Sequence, residues 1–233
     1  MRYTMRSSGC NMDKFTKNIK NFNMKQKSLK KYDSQNTRLT YEEIIRYLKD
    51  NPIENRNYLG QLFNALGLIK YGAEIGVQEG KFSQILSNTW NGEQLHLIDS
   101  WKHFQDDKYI DISNVNNFEH EKLYQKVVAQ FSNNPKIKIN RTESLKAAGE
   151  YPNNYFDWIF LDANHSYESC SADLKAWYPK IKRNGIFSGH DFINKHDRFG
   201  LFGVERAVRE HVEYHRLYLF ITKYDSSWYF VKQ

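Results

Sequence analysis

The sequence has little cysteine, little proline and no long apolar segment. Only two of its 233 residues are cysteines, Cys10 and Cys170, and four are prolines. Two cysteines do not make a disulfide framework, so we expect a reducing, cytoplasmic compartment. We expect Cys170 to be a small buried residue and not a nucleophile, because its segment has a helical pattern. No apolar run approaches the roughly 20 residues that cross a bilayer, and a signal-peptide core is lacking at the N-terminus.

Positive charge is concentrated near the N-terminus. Residues 1–33 carry nine basic and two acidic side chains, which accounts for the whole net charge of +7, and the remaining chain has 25 of each sign. We therefore predict a basic, flexible arm over residues 1–39 and one domain over residues 40–233. An arm that docks on an acidic partner, a membrane surface or nucleic acid is the alternative. The neutral domain argues against nucleic-acid binding, which favours a basic face.

From residue 40 onward, apolar runs of the strand type alternate with helical patterns. Thr40 and Glu43 have capping-box spacing at the start of the first helix, and Gly185 is expected to end the fifth. The predicted helices cover residues 40–49, 58–68, 81–90, 117–131, 169–181 and 203–215. The predicted strands cover residues 73–77, 94–99, 136–140, 154–162 and 186–191, with a late antiparallel pair at 217–222 and 227–231. This order predicts an α/β, doubly wound, mostly parallel seven-stranded sheet with a C-terminal antiparallel hairpin.

Residues 71–83 read as a strand, a glycine turn and the first turn of a helix. Gly76 and Gly80 can adopt φ > 0 and let a ligand approach the backbone, and the helix start offers free N–H groups. A dinucleotide fingerprint in this register needs glycine at positions 74, 76 and 79, but the sequence has Glu74 and Glu79. Two carboxylates would repel a pyrophosphate and tolerate a cation. The turn therefore favours a cationic ligand.

Hydrogen-bonding and titratable side chains follow the predicted strands at the points where the strands end. Ligands of doubly wound sheets bind beyond the carboxyl ends of the strands, so these side chains should share one crevice. Asp99 ends the second strand, where an acid reaches the ribose hydroxyls of a nucleoside, although a helix-capping role is the alternative. Residues 102–116 have no clear period, and we expect this connection to form a functional lid that shapes an acceptor pocket.

The pattern Glu74-x-Gly76-x-x-x-Gly80 resembles the first motif of class I S-adenosylmethionine-dependent methyltransferases. In that family the acid lies near the methionine part of the cofactor and the glycines line its path. An aromatic residue often follows the ribose-binding acid, and Trp101 has this position. Ser144 either caps a short helix or contacts the cofactor. The resemblance implies cofactor contacts from Glu74, Gly76, Gly80, Ser83, Asp99, Trp101, Ser144 and Asp162.

Residues 161–168, 185–192 and 203–208 are similar to one branch of these enzymes, which includes the macrocin O-methyltransferases and sugar-modifying relatives. Several members hold a divalent cation with acids at the ends of strands four and five. The resemblance thus implies a magnesium site formed by Asp162, Asp191 and His190. The catalytic base of some relatives falls near Asn164. Asparagine cannot act as a base, so His165 is the nearest substitute.

Together these features predict an O-methyltransferase that uses S-adenosylmethionine to methylate a hydroxyl of a small molecule or sugar. His165, Asp162 and Asp191 are its predicted catalytic residues. Non-catalytic roles for these residues stay open: His165 as a loop histidine, Asp162 as a cofactor contact alone, and Asp191 as a loop cap. A nucleic-acid methyltransferase that uses the basic arm and a catalytically inactive cofactor-binding subunit are the rival functions. Relatives in this branch often self-associate, so the resemblance suggests a homo-oligomer, while the sequence leaves the oligomeric state open.

Overall fold

The computed structural model describes residues 39–105, 111–197 and 200–233 of the chain. Its α-helices are α1 (Tyr41–Asp50), α2 (Leu59–Ala65), α3 (Lys81–Thr89), α4 (Asn117–Phe131), α5 (Ser144–Glu150), α6 (Tyr167–Trp177) and α7 (Val204–Tyr214). Its strands are β1 (Tyr71–Ile75), β2 (Gln94–Asp99), β3 (Ile137–Arg141), β4 (Phe156–Leu161), β5 (Ile181–Gly189), β6 (Asn194–Asp197), β7 (Gly200–Gly203), β8 (Phe220–Ile221) and β9 (Trp228–Val231). Short 3₁₀ helices at Arg56–Tyr58 and Tyr178–Lys180 precede α2 and β5.

Seven strands form one sheet in the order β3-β2-β1-β4-β5-β9-β8. The first five are parallel to their neighbours, and β9 pairs antiparallel with β5 and with β8. The strand order reverses at β1 and β4, so the loops after these strands diverge and leave a crevice above the sheet. The predicted doubly wound fold with its late antiparallel pair is confirmed.

Both faces of the sheet are covered by helices. In one apolar core, helices α1, α2, α3 and α4 pack against sheet side chains such as Trp158 and Phe160. In the other, helices α5, α6 and α7 pack against Ile159 and Phe187. Alternate residues of β4 therefore point to opposite cores, and all six residues of this strand are buried. Cys170 of α6 is 2% exposed, as expected for a small buried side chain.

The prediction that Gly185 ends the fifth helix is wrong. Helix α6 ends at Trp177, and β5 begins at Ile181. Pro179 lies in the intervening 3₁₀ turn, and proline cannot donate to an α-helical ladder. Gly185 instead lies inside β5, where a Cβ would come within 2.5 Å of the carbonyl oxygen of Asp157. The glycine permits a close approach of β4 and β5.

Strands β6 and β7 form a separate two-stranded antiparallel sheet that the sequence pattern did not predict. Their residues lack the alternation of apolar and polar side chains that marks a half-buried strand. Backbone pairing defines this hairpin, and its backbone also contacts the end of the parallel sheet, where the Gly203 N–H donates to the His165 carbonyl at 2.8 Å. The hairpin therefore lies beside the loop after β4.

The capping box of α1 is confirmed, because the Thr40 hydroxyl accepts from the Glu43 N–H and the Glu43 carboxylate accepts from the Thr40 N–H. Cys10 and the predicted arm up to residue 38 lie outside the described residues, so the arm stays a prediction. Within the described part of the chain, every helix is too short or too polar to cross a membrane.

Candidate active site

The three predicted catalytic residues meet at the carboxyl ends of β4 and β5. One ligand-type atom each from Asp162, His165 and Asp191 lies within 4.8 Å of the other two. Asp162 directly follows β4, His165 lies in the loop before α6, and Asp191 follows β5. Parallel pairing of β4 with β5 aligns Leu161 with Gly189, which brings the two loops side by side. The structure therefore brings these three residues together, and their catalytic roles stay a prediction.

Gly76 and Gly80 shape the turn after β1. Gly76 has φ +87°, and a Cβ there would lie 2.0 Å from the carbonyl oxygen of Asp162. Gly80 has φ +77° and is the N-cap residue of α3, a conformation that other residues seldom adopt. Backbone geometry therefore accounts for glycine at both positions. Gly76 lets the loop after β1 pass the end of β4, and Gly80 begins α3.

Glu74 and Ser83 form a buried pair beneath the turn. The Ser83 hydroxyl donates to the Glu74 carboxylate at 2.5 Å, and the two residues are 0% and 2% exposed, respectively. Burial raises the pKa of the Glu74 carboxyl from 4.5 to about 8, although the Ser83 hydrogen bond and the charge of Arg56 act in the opposite direction. The nearby carboxylates of Asp162 and Asp99 add to the increase. A cationic group bound beside Glu74 would favour its ionised form.

We expect the Glu74→Gln variant to change how stability depends on pH. The folded protein holds the Glu74 proton up to about pH 8, whereas the unfolded chain releases it near pH 4.5. Between these two pH values only the folded state binds the proton, so the free energy of unfolding of the wild type decreases as pH rises. Glutamine binds no proton and lacks this effect. As pH rises from about 5 to about 8, the variant should therefore gain stability relative to the wild type.

The measurement is urea unfolding of both proteins, without cofactor, across that pH range. Glu93→Gln, at an exposed position just before β2, makes the same chemical change and serves as the control. Parallel stability curves for the wild type and Glu74→Gln would show that Glu74 does not hold its proton in the folded protein.

Asp99 holds the loop after β1 against the end of β2. One carboxylate oxygen accepts from the backbone N–H groups of Val77 and Gln78 at 2.8 and 2.9 Å, and the other accepts from the N–H of Trp101 at 2.7 Å. An ionised carboxylate has about four acceptor positions, so one remains for a hydroxyl group. Asp99 thus organises the crevice, and its role as a ribose ligand stays a prediction.

Trp101 is an internal residue in this structure. Its side chain is 1% exposed, its indole N–H donates to the Gln78 carbonyl at 2.8 Å, and its ring lies 5.1 Å from that of Tyr124. The indole therefore supports the floor of the neighbouring cleft. This cleft, of about 570 Å³, lies beyond Asp99 and is lined by residues that include Ser100, Trp101, Thr142 and Glu143.

Ser144 does not act as a helix cap, because the N-cap residue of α5 is Glu143. Its hydroxyl donates to Asp173 at 2.5 Å and accepts from the indole N–H of Trp177 at 2.8 Å. Both partners belong to α6, so this serine joins two helices. The capping alternative is wrong, and the role of Ser144 as a cofactor contact stays a prediction.

His165 is surrounded by carboxylates. Its Nδ1 lies 2.8 Å from Asp111, and its Nε2 lies 3.3 Å from Asp162 and 3.2 Å from Asp191. Burial alone would lower the pKa of His165, but hydrogen bonds to Asp111 and Asp162 and the charge of Asp191 raise it to about 10. In this arrangement the imidazole carries a proton at neutral pH, and a protonated imidazole has no lone pair with which to act as a base.

The carboxylate of Asp162 is the most highly connected of the cluster. Besides His165, it accepts from the guanidinium of Arg56 at 3.0 Å, and Nδ1 of His190 lies 4.0 Å away. Burial by itself would raise the pKa of Asp162, but the hydrogen bond and charge of His165, together with the Arg56 guanidinium, hold it below its usual value. The carboxylate is therefore ionised at neutral pH and able to bind a cation.

His190 lies at the margin of the cluster. Its Nδ1 is 3.2 Å from a carboxylate oxygen of Asp191, and its side chain is 20% exposed. Asp191 itself adopts φ +49°, the left-handed region that aspartate tolerates better than most residues. This turn places His190 and Asp191 beside each other at the end of β5.

Three residues that contact the cluster were not predicted from the sequence to have a role at the site. Arg56 contacts Asp162 from the 3₁₀ turn before α2, Asp111 contacts His165 from the irregular connection, and Phe202 of β7 stacks on the His165 ring with centroids 5.0 Å apart. Asp111 was only one of several polar residues in the predicted lid. Arg56 and Phe202 lie outside every motif, so no sequence signal marked them.

Comparison with known proteins places this geometry in context. A family model described as a methyltransferase domain matches residues 73–192, just over half of the chain. No curated protein sequence matches the chain. The matched segment begins in β1 and ends just after Asp191, so it contains the glycine turn, Asp99 and the acid–histidine cluster.

Solved structures with the same fold differ widely in sequence. A candidate O-methyltransferase from Klebsiella pneumoniae is 13% identical, with a TM-score of 0.51, over 95% of this chain and 89% of its own. A candidate caffeoyl-CoA O-methyltransferase from Staphylococcus aureus is 16% identical, with a TM-score of 0.50, over 90% and 100%. The N-methyltransferase NodS from Bradyrhizobium japonicum is 16% identical, with a TM-score of 0.52, over 79% and 99%. These likenesses establish the fold.

The family match, on a chain with this fold, identifies a class I S-adenosylmethionine-dependent methyltransferase. The chain belongs to the methyltransferase-domain family whose model covers residues 73–192.

Proposed function

We propose that this protein is an O-methyltransferase that acts on a hydroxyl group of a small molecule or sugar with the help of a divalent cation, magnesium being the first candidate. The observation that carries the proposal is the cluster of Asp162, His165 and Asp191 at the crevice. An alcohol is a weak nucleophile until it loses its proton, whereas a neutral amine already has a lone pair. A cluster that can acidify the acceptor therefore favours transfer to oxygen.

The residues of the cluster fit a cation. In an octahedral magnesium site with bonds of about 2.1 Å, neighbouring ligand atoms are about 3.0 Å apart. The Nε2 atom of His165 lies 3.3 and 3.2 Å from the nearest oxygens of Asp162 and Asp191. Two carboxylates and an imidazole also suit a borderline cation such as manganese or zinc. The donor set thus supports a site with protein ligands from β4, β5 and the loop between β4 and α6.

This arrangement exchanges the roles of two histidines relative to the sequence prediction. His165 faces both carboxylates through Nε2. In our proposal this nitrogen releases its proton when a cation binds, and its lone pair then makes it the third ligand. His190 lies beside Asp191 and is more exposed, so it is the group left to take the proton from the acceptor. When bound, the cation would lower the pKa of the acceptor hydroxyl and fix its orientation.

The crevice also supports the placement of the cofactor. The acid pair of Glu74 and Asp162 can attract the positive charges of its methionine part, and Arg56 can bind its carboxylate. Asp99 and the cleft beyond it lie where the nucleoside would extend. Methyl transfer requires the acceptor oxygen in line with the sulfonium at about 3–3.5 Å. The carboxylates at the ends of β4 and β5 would hold the acceptor on the side from which this attack occurs.

The proposal is tested in two stages. Binding of S-adenosylmethionine is measured first by calorimetry. Methyl release is then measured over a panel of sugars, phenols and amines, with magnesium, with manganese and with a chelator. We expect cofactor binding in every condition, and transfer to a sugar or phenol that the chelator abolishes.

The rival functions give different results in the same experiment. Transfer to an RNA or DNA substrate, with an affinity that falls steeply with salt, would support a nucleic-acid methyltransferase. Cofactor binding without turnover on any acceptor would support a non-catalytic subunit. Transfer to amines that is insensitive to the chelator would contradict the metal-assisted O-methyltransferase.

A further inference from the structure

Asp111 reaches the acid–histidine cluster from a distant part of the sequence. It lies in the connection between β2 and α4, 54 residues before His165, and its carboxylate is 2.8 Å from the Nδ1 atom of that histidine. The side chains of Asp111 and His165 are 4% and 12% exposed. A buried carboxylate that meets one specific ring nitrogen is a strong constraint on the orientation of the ring.

Asp111 is itself fixed by its neighbours. Its second carboxylate oxygen accepts from the backbone N–H of Ser113 at 2.7 Å and from the Ser113 hydroxyl at 2.6 Å. The first carboxylate oxygen is left to face Nδ1 of His165 at 2.8 Å, where it accepts the hydrogen of that ring nitrogen.

The ring of His165 is held in its other degrees of freedom by the β6–β7 hairpin. Phe202 stacks on the ring with an interplanar angle of 19°, and Gly203 donates to the His165 carbonyl. Stacking fixes the plane of the imidazole, but it does not decide which edge faces the carboxylates. The contact with Asp111 decides this, because it ties one nitrogen and leaves the other facing Asp162 and Asp191.

We propose that Asp111 is a positioning residue for His165: it accepts the Nδ1 hydrogen and thereby presents Nε2 to the pocket between Asp162 and Asp191. This inference rests on the proposed function, in which Nε2 of His165 is a cation ligand. Carboxylates that orient a ligating histidine in this way contribute about 10–100-fold to metal affinity or activity. The irregular connection therefore supplies part of the cation site in addition to the acceptor pocket.

The test compares Asp111→Ala and Asp111→Asn with the wild type. Asn114→Ala is the matched control, because Asn114 makes two hydrogen bonds to the backbone of Phe104 in the same connection. Manganese and magnesium affinities are measured by calorimetry in the full-length protein without acceptor. We expect Asp111→Ala to bind either ion about 10–100-fold more weakly, Asp111→Asn to fall between, and Asn114→Ala to match the wild type.

A spectroscopic measurement separates positioning from a general loss of structure. In ¹⁵N-labelled protein, the Nδ1 proton of His165 should give a downfield resonance, assigned by its loss in His165→Gln. It should disappear in Asp111→Ala and persist in Asn114→Ala, with S-adenosylmethionine affinity retained in both. Unchanged cation affinity and an unchanged Nδ1 resonance in Asp111→Ala would overturn the proposal, as would an equal loss in Asn114→Ala.

The two proposals can fail separately. If the wild type binds neither cation and methylates no hydroxyl, the proposed function fails, while the Nδ1 resonance still tests whether Asp111 orients His165. If the wild type is a cation-dependent enzyme and Asp111→Ala behaves like it in both measurements, only the positioning role is overturned.

Discussion

Replacing His165 with alanine is expected to weaken divalent-cation binding and to reduce turnover about 10³-fold, while S-adenosylmethionine affinity is retained. The variant loses the imidazole that lies within 3.3 Å of both acids and leaves the two carboxylates without their shared partner. A bound cation contributes several kcal/mol to the stabilisation of a transition state, and about 4 kcal/mol corresponds to the expected loss of rate. Initial rates and cation titrations on the same protein samples provide the measurement.

A comparison with the second histidine of the site decides between ligand and base. His190→Ala should reduce turnover by about 10²–10⁴-fold, the usual contribution of a general base, and should leave cation affinity unchanged. His215→Ala, at the end of α7 and outside the crevice, is the control and should retain both properties. If His165→Ala keeps wild-type cation affinity and only slows turnover, His165 is the base and the role exchange is wrong.

Replacing Trp158 with alanine is expected to reduce the free energy of unfolding by about 3–5 kcal/mol, as for other large aromatic residues removed from a core. Trp158 is completely buried in β4, stacks on Phe63 at 4.4 Å and meets the edge of Trp90 at 4.9 Å. Its ring also fills the space above Gly72, where a Cβ would come within 2.2 Å of it.

Equilibrium unfolding in urea, followed by far-ultraviolet circular dichroism, measures this loss. Phe118→Ala serves as the control, because Phe118 is 69% exposed in α4 and its removal should change stability by about 0.5 kcal/mol or less. A loss below about 1 kcal/mol for Trp158→Ala would mean that the core around β4 is not packed as described.

Much of the fold could be predicted because its signals are local. The boundaries of β2 and α4 coincide with the predicted ones, because an acid marks the end of the strand and Asn116 caps the start of the helix. The predicted elements were wrong where a nearby residue overrides the pattern of a segment, or where a strand has no pattern. Pro179 ended α6 earlier than its apolar spacing suggested, and the β6–β7 hairpin has no alternating pattern to reveal it.

The sequence by itself determined the acids that end the strands, the glycine turn and the class of fold, because strand ends of a parallel sheet must meet at one edge. Only the tertiary structure decided which histidine faces both acids and which residues hold it. Arg56 and Asp162 are 106 residues apart in the chain, and Asp111 and His165 are 54 residues apart. Such contacts depend on how irregular connections fold over the sheet, and no periodicity in the sequence encodes that path.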